Sequence, residues 1–411
     1  MIYWLSSQRW LNCMAAARTH IWKEDPVFAD GSITLAATIE SPVRGKNRLW
    51  FTLPEEFAPL LTESYDPFVV ANIFLIMSEG SQCAIHGPVS PSLLRNLAEF
   101  QSAWAAWRPD KYKQVEIVAD RSAEEALAEQ DLAIAAFSGG VDSAFTMYRH
   151  RAGLCDKNWS RNIDAGLFVH GFDIPLEQKE AFERAAVRIG KTLASVDVRL
   201  ITMSTNLQQL NIEWDDTHIA GVASALMLFK KNYREGLVPS GPSYHRMLIP
   251  WGSSPITDHL LSSKSFAVVH DGAGFKRVEK RGLIDKWEEG FQNLRVCFLA
   301  DQRDQNCGQC SKCLVDLVDA VLTGKRIPAS FPEFGAESFA GMIIPTKREF
   351  EGWNRRVAEL KQSSSRESWL PALEKRLQEL RPTFNDEIPA DSKLRKLGRR
   401  LRLNRIFPSS K

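Results

Sequence analysis

An apolar run, Asp131–Phe137 (DLAIAAF), stops at Ser138-Gly139-Gly140 and gives way to a helical pattern that opens near Asp142 and carries Phe145, Met147 and Tyr148. A short apolar run closed by a glycine turn reads as a buried strand. A strand that passes through such a turn straight into a helix opens a βαβ unit, and parallel strands need crossovers of this kind. The sequence keeps that rhythm. Strands are predicted at Asp164–His170 and Ser195–Met203, an amphipathic helix at Leu176–Ile189 and a buried helix at Thr217–Phe229. Further strands are predicted at Arg246–Ile249, Phe266–His270 and Leu294–Phe298. Residues 126–325 therefore read as an α/β domain, a parallel sheet flanked by helices.

The flanks have a different texture. Residues 1–125 are predicted to form an added N-terminal α+β domain, with strands at Ser32–Ile39 and Asn47–Leu53 and a Ser-capped helix over Ser90–Trp107. Pro67–Met77 (PFVVANIFLIM) suits a buried helix or a buried strand equally, because a fully apolar run has no period to read. Nothing in this segment has catalytic spacing; its role is open, with a protein partner as one use for it. Residues 326–411 are expected to be a helical, Arg-rich C-terminal extension. Its last stretch, from Asp391, carries Lys393, Arg395, Lys396, Arg399, Arg400, Arg402, Arg405 and Lys411 against one Asp. Such a tail suits weak contact with nucleic acid or an acidic partner, or simply a solvated terminal helix. No run approaches the roughly 20 apolar residues of a membrane helix, and the start lacks a secretory pattern. A cytoplasmic protein without membrane contact is expected. The formal net charge of +2 argues against a chain built throughout to coat nucleic acid.

The hexapeptide Ser138-Gly139-Gly140-Val141-Asp142-Ser143 takes its chemical meaning from its place between strand and helix. Two residues without Cβ permit a tight turn and close backbone approach to an anion. The turn then offers successive N–H groups and the positive end of a helix dipole. Ser138 and Ser143 add hydroxyls. Asp142 is unusual beside phosphates, since two anions repel unless a cation stands between them; Mg²⁺ is the expected cation. The spacing fits neither G-x-x-x-x-G-K-S/T nor G-x-G-x-x-G.

Four of the seven cysteines, Cys297, Cys307, Cys310 and Cys313, fall within 17 residues. Overlapping C-x-x-C pairs aim sulfurs at one point, and four thiolates satisfy a closed tetrahedral zinc site. An iron–sulfur cluster is the competing reading, although its common motif spaces the ligands differently and ends in Pro.

Ser138–Ser143 resembles the signature of the PP-loop (N-type) ATP pyrophosphatases. With the downstream Cys297, Cys307-Gly308, Cys310 and Cys313, the stretch over about 130–325 resembles the 7-cyano-7-deazaguanine synthase family. The resemblance implies an adenine nucleotide α-hydrolase-like fold and ATP bound through Phe137, Ser138, Gly139, Gly140, Val141, Asp142 and Ser143. It also implies adenine near the ends of the first two strands, where His170 stands, and a structural zinc. The implied reaction transfers AMP to a carboxylate or amide oxygen, releases pyrophosphate, and lets a nitrogen nucleophile displace AMP from a small-molecule, protein or peptide acceptor. Long proteins similar to this synthase occur in bacterial anti-phage gene clusters, which implies antiviral defence as a setting. The chain departs from the family in its length and in lacking a Tyr-Pro-Asp-Cys-Arg-like segment. In that place stands Ile249–Asp258, followed by His270-Asp271-Gly272.

Asp142, Ser143 and Asp258 are the catalytic candidates. Ser253, Ser254 and Asp258 converge on a Gly252/Pro255 turn as substrate or metal contacts, or as the capped start of a helix. His170 reads more readily as a packed histidine than as a base. The Thr217–Gly221 helix start is expected to face the same cleft. Two other activities share the loop: a tRNA sulfurtransferase, for which Cys155 is the one cysteine after the loop and outside the cluster, and a non-catalytic ATP-binding scaffold.

Overall fold

The structure is a computed structural model and describes residues 18–210, 213–297, 299–344, 346–363 and 367–385. The basic residues from Lys393 to Lys411 lie outside the described residues. The chain divides into two compact units, one reaching residue 298 and including 302–304, the other holding 299–301 and everything from 305 onward.

The first unit is α/β, built on one sheet of eleven strands. In chain order these are β1 (Thr19–Lys23), β2 (Val27–Ala29), β3 (Ser32–Ser41), β4 (Gly45–Pro54), β5 (Cys83–Val89), β6 (Ile117–Ser122), β7 (Ala133–Ala136), β8 (Ile163–His170), β9 (Arg199–Thr205), β10 (Glu235–Pro239) and β11 (Ala267–Asp271). The spatial order is β11-β10-β7-β8-β9-β4-β3-β1-β5-β6, with β2 on β3. Pairing is mostly parallel, and antiparallel only around β3 and where β4 meets β9. The expected boundary near residue 125 falls between β6 and β7, two strands of this one sheet.

The helices are α1 (Asp66–Glu79), α2 (Pro91–Trp107), α3 (Val141–Arg151), α4 (Lys179–Ala194), α5 (Trp214–Met227), α6 (Arg277–Ile284) and α7 (Glu288–Gln292). The ambiguous apolar run over 67–77 is helical. As α1 it is buried from Asp66 to Met77 and packs on α5, itself small-residue-rich and buried, so neither helix needs a polar face. Leu35, Ile39, Phe51, Phe68, Phe74, Trp104 and Met203 belong to one continuous core.

Strands β7 to β11 stand in the order β9-β8-β7-β10-β11, which is 3-2-1-4-5 by appearance. The chain leaves β7 toward β8 on one side and later returns to β10 on the other. The carboxyl ends of β7 and β10 thus flank a topological switch point, where open α/β sheets leave a crevice. The predicted strand at Arg246–Ile249 is absent: residues 244–246 form a 3₁₀ turn, and Leu248 and Ile249 are exposed. Leu294–Cys297 is likewise irregular.

The second unit is helical, with α8 (Ser311–Leu322), α9 (Lys347–Gln362), α10 (Leu370–Leu380) and the short α11 (Pro382–Asn385). Leu314, Phe339, Trp353, Trp369 and Leu373 form its core, and Arg356 grips Asp319 with two nitrogens at 2.6 and 2.9 Å. Among the described residues no helix is long and apolar enough to cross a membrane.

Candidate functional site

The Ser138–Ser143 segment leaves the carboxyl end of β7 at the switch point and becomes the first turn of α3. Gly139 has φ +76°, a conformation that side chains with a Cβ rarely adopt. Arg295 fixes the turn: its backbone N–H donates to Gly139 O at 2.8 Å and its Nε–H to Ser138 O at 3.1 Å. In a trans peptide the carbonyl and the following N–H point opposite ways. Tying those two carbonyls to Arg295 therefore turns the amides of Gly139 and Gly140 away from it. Gly140 N–H reaches Ser138 Oγ at 3.4 Å, while the amides of Gly139, Val141, Asp142 and Ser143 donate to no protein carbonyl among the described residues. They are the orphan donors of a helix start.

The side chains here are more committed than the sequence implied. Ser143 Oγ donates to Gly140 O at 3.1 Å, and Ser138 Oγ lies 3.5 Å from it. The Phe137 amide is spent on Leu167 O and its ring is buried. Asp142 accepts from Lys280 Nζ at 2.8 Å and lies 3.4 Å from Arg277 Nη1. Lys280 is buried, also donates to Ser240 O at the end of β10, and lies over the Phe145 ring. The charge that pointed to Mg²⁺ beside Asp142 is thus met by two cations of α6. Lys280 and Arg277 escaped the sequence reading, their only signal being the basic run Lys276-Arg277-x-x-Lys280-Arg281.

His170 closes β8 as predicted, but its ring is buried, stacks on Phe182 with centroids 4.4 Å apart, and donates from Nε2 to Pro175 O at 2.8 Å. Burial holds its pKa below the usual imidazole value. Asp258 is fully buried at the start of a 3₁₀ turn, where it accepts from Ser253 Oγ (2.7 Å), Ser254 N (2.7 Å) and His270 Nδ1 (2.8 Å). The serines and Asp258 do converge, with His270 as the group they hold. Thr217 lies one turn inside α5, whose first turn packs against this segment through Gly252 N and Asp215 O at 3.2 Å.

On the face of α3, Asp271 accepts from Thr146 Oγ1 (2.6 Å), Arg149 Nη2 (2.6 Å) and His150 Nε2 (3.2 Å). Burial opposes its charge, yet the His150 hydrogen bond and Arg149 together hold the carboxyl below the usual range. The same His150 lies 3.3 Å from Cys155 Sγ through Nδ1, which already accepts from Arg161 N. Burial pushes the Cys155 thiol up, so it rests protonated.

The ligand atoms of Cys297, Cys307, Cys310 and Cys313 all lie within 4.8 Å of one another. Cys307 and Cys313 sulfurs are 4.0 Å apart, close to the roughly 3.8 Å edge of a tetrahedron with Zn–S bonds of about 2.3 Å. Backbone amides of Gln309 and Cys310 point at Cys307 Sγ, and that of Cys313 at Cys310 Sγ. Amide donors of this kind stabilise thiolates over thiols. The set fits a metal ion such as zinc.

No family model, curated protein or solved structure matches the chain.

Proposed function

We propose that the chain is an ATP-dependent adenylating enzyme that forms AMP and pyrophosphate while activating an acceptor carboxylate or amide oxygen for a nitrogen nucleophile. The observation that carries this reading is the open row of amides at the switch point, held outward by Arg295 and flanked by Lys280 and Arg277. Preorganised donors and fixed cations of this kind suit a triphosphate in its ground state and the charge that grows on it as pyrophosphate leaves. Mg²⁺ would enter with the nucleotide, and the four cysteines would hold a structural zinc. The kinship with the 7-cyano-7-deazaguanine synthases, and with it an antiviral setting, belongs to this proposal. The sulfurtransferase alternative is weakened by Cys155: its thiol rests protonated and lies past the far end of α3, about 16 Å of helix from the loop.

The test is product analysis. Protein incubated with Mg-ATP and a panel of carboxylate acceptors, with ammonium as nucleophile, should release AMP and pyrophosphate in equal amounts. Lys280→Met keeps the packing over Phe145 and removes the charge, and should slow AMP release about 100-fold or more. Release of ADP and phosphate instead would reject the mechanism, and binding of ATP without any turnover would favour a scaffold.

A further inference from the structure

The His270 imidazole stands at the carboxyl end of β11, two strand spacings, about 10 Å, from β7. In register it lies beside Val238 of β10. Its Nδ1 faces Asp258 Oδ2 at 2.8 Å, and Ser253 Oγ bridges to the same carboxylate at 2.7 Å. A carboxylate oxygen accepts, so Nδ1–H donates to it, and in the Nδ1–H tautomer of an imidazole Nε2 is the acceptor. That Nε2 is buried and has no hydrogen-bond partner among the described residues. Two hydroxyls share its condition: Thr217 Oγ1 in the first turn of α5 and Thr257 Oγ1 immediately before Asp258. The 3₁₀ turn that Asp258 opens packs on both β11 and α5. Buried polar atoms without partners are rare and call for a ligand, a water or a catalytic role.

We infer that His270 is the proton acceptor of the second half-reaction and that Asp258 is the residue that positions it. The inference rests on the adenylating activity proposed above. In the step, the nitrogen of an N–H nucleophile forms a bond to the activated carbon, the carbon–oxygen bond to AMP breaks, and its electron pair leaves with AMP. The proton lost by nitrogen goes to Nε2, and Asp258 stabilises the imidazolium through Nδ1–H. Both Asp258 carboxylate oxygens are already taken by Ser253, Ser254 and His270, so it acts through His270 and not on the acceptor itself.

His270→Asn is the informative variant, because the Asn amide replaces Nδ1–H as donor to Asp258 and removes Nε2. Wild type and variant are compared with 7-carboxy-7-deazaguanine as the probe acceptor, measuring ATP–pyrophosphate exchange for adenylation and amide release with ammonium for transfer. Amide release should fall about 100-fold or more beyond any fall in exchange. Equal losses in the two, or no loss in transfer, overturn the assignment of His270. Absence of exchange in the wild type with every acceptor overturns the adenylation reading itself, a different failure. Independently, ¹⁵N-histidine spectra, with the His270 signal identified by its loss in His270→Asn, should show Nδ1 protonated and Nε2 bare at pH 7.5. Asp258→Asn should disturb that tautomer in a protein that unfolds at a similar temperature. A proton on Nε2 in the wild type overturns the proposal whatever the turnover.

Discussion

The buried His170 makes stability fall on acidification. Its imidazole is held neutral by burial, so its folded pKa lies below the 6.5 of the unfolded chain. Above that value neither state binds the proton and His170 contributes no slope. As pH falls through 6.5 the unfolded chain takes up a proton that the native state refuses, and stability is lost until the folded value is reached. His170→Gln can keep a donor toward Pro175 O without titrating, so its melting temperature should change less than wild type's between pH 7 and pH 5. An unchanged slope in thermal melts across that range would show that His170 does not titrate as described. At this scale the sequence displayed the loop residues and Asp258 by type and spacing. It hid what each one touches, because Lys280 meets Asp142 across 138 positions and His270 meets Asp258 only once β11 has formed. Asp142 implied a cation, and the cations it has are side chains.

At the level of elements, the cysteine turns are welded to a helix. Cys310 is the N-cap of α8, and its sulfur accepts from the Cys313 amide at 3.4 Å, so a candidate metal ligand and a cap are one atom. Cys310→Ser should therefore lower bound zinc from one equivalent to well below it, and lower the melting temperature with it, since metal affinity is stability. Elemental analysis beside thermal melts checks both. Full zinc in a destabilised variant would reduce Cys310 to a cap. Helices and strands were readable where burial and period agreed: Ser90–Trp107 and Asp164–His170 fall almost residue for residue on α2 and β8. They were unreadable where these diverged. β10 is five residues with a glycine and a proline and gives no strand signal, while the apolar stretch at 246–249 leaves Leu248 and Ile249 facing solvent.

For the first unit as a whole, what escaped the sequence is that residues 18–122 and 133–271 share one sheet. The joint is slight in the backbone, with β4 and β9 paired only at Phe51/Thr205 and Thr52/Ser204. Side chains reinforce it. Asn206 takes up the Trp50 amide and the Arg48 carbonyl, and Thr205 Oγ1 donates to Trp50 O. Deeper in, Lys230 Nζ, with no exposed surface, bonds Asp66 Oδ2 at 2.5 Å and lies 3.1 Å from Glu125. Asp66 in turn holds Ser90 by both its amide and its hydroxyl. This ion pair ties the start of α1 and the cap of α2 to the end of α5, so the N-terminal strands and the strands that carry the Ser138–Ser143 loop should unfold as one. Removing the lysine strands a carboxylate in a dry interior, and Lys230→Ala should cost about 3–5 kcal/mol in urea unfolding. The loss should register equally in probes reporting on residues 18–125 and on the β7–β11 strands, because a single cooperative transition has one free energy. If the N-terminal strands melted first while the β7–β11 strands kept wild-type stability, the sheet would be continuous in geometry and divided in energy, and the loop would owe nothing to the segment before it.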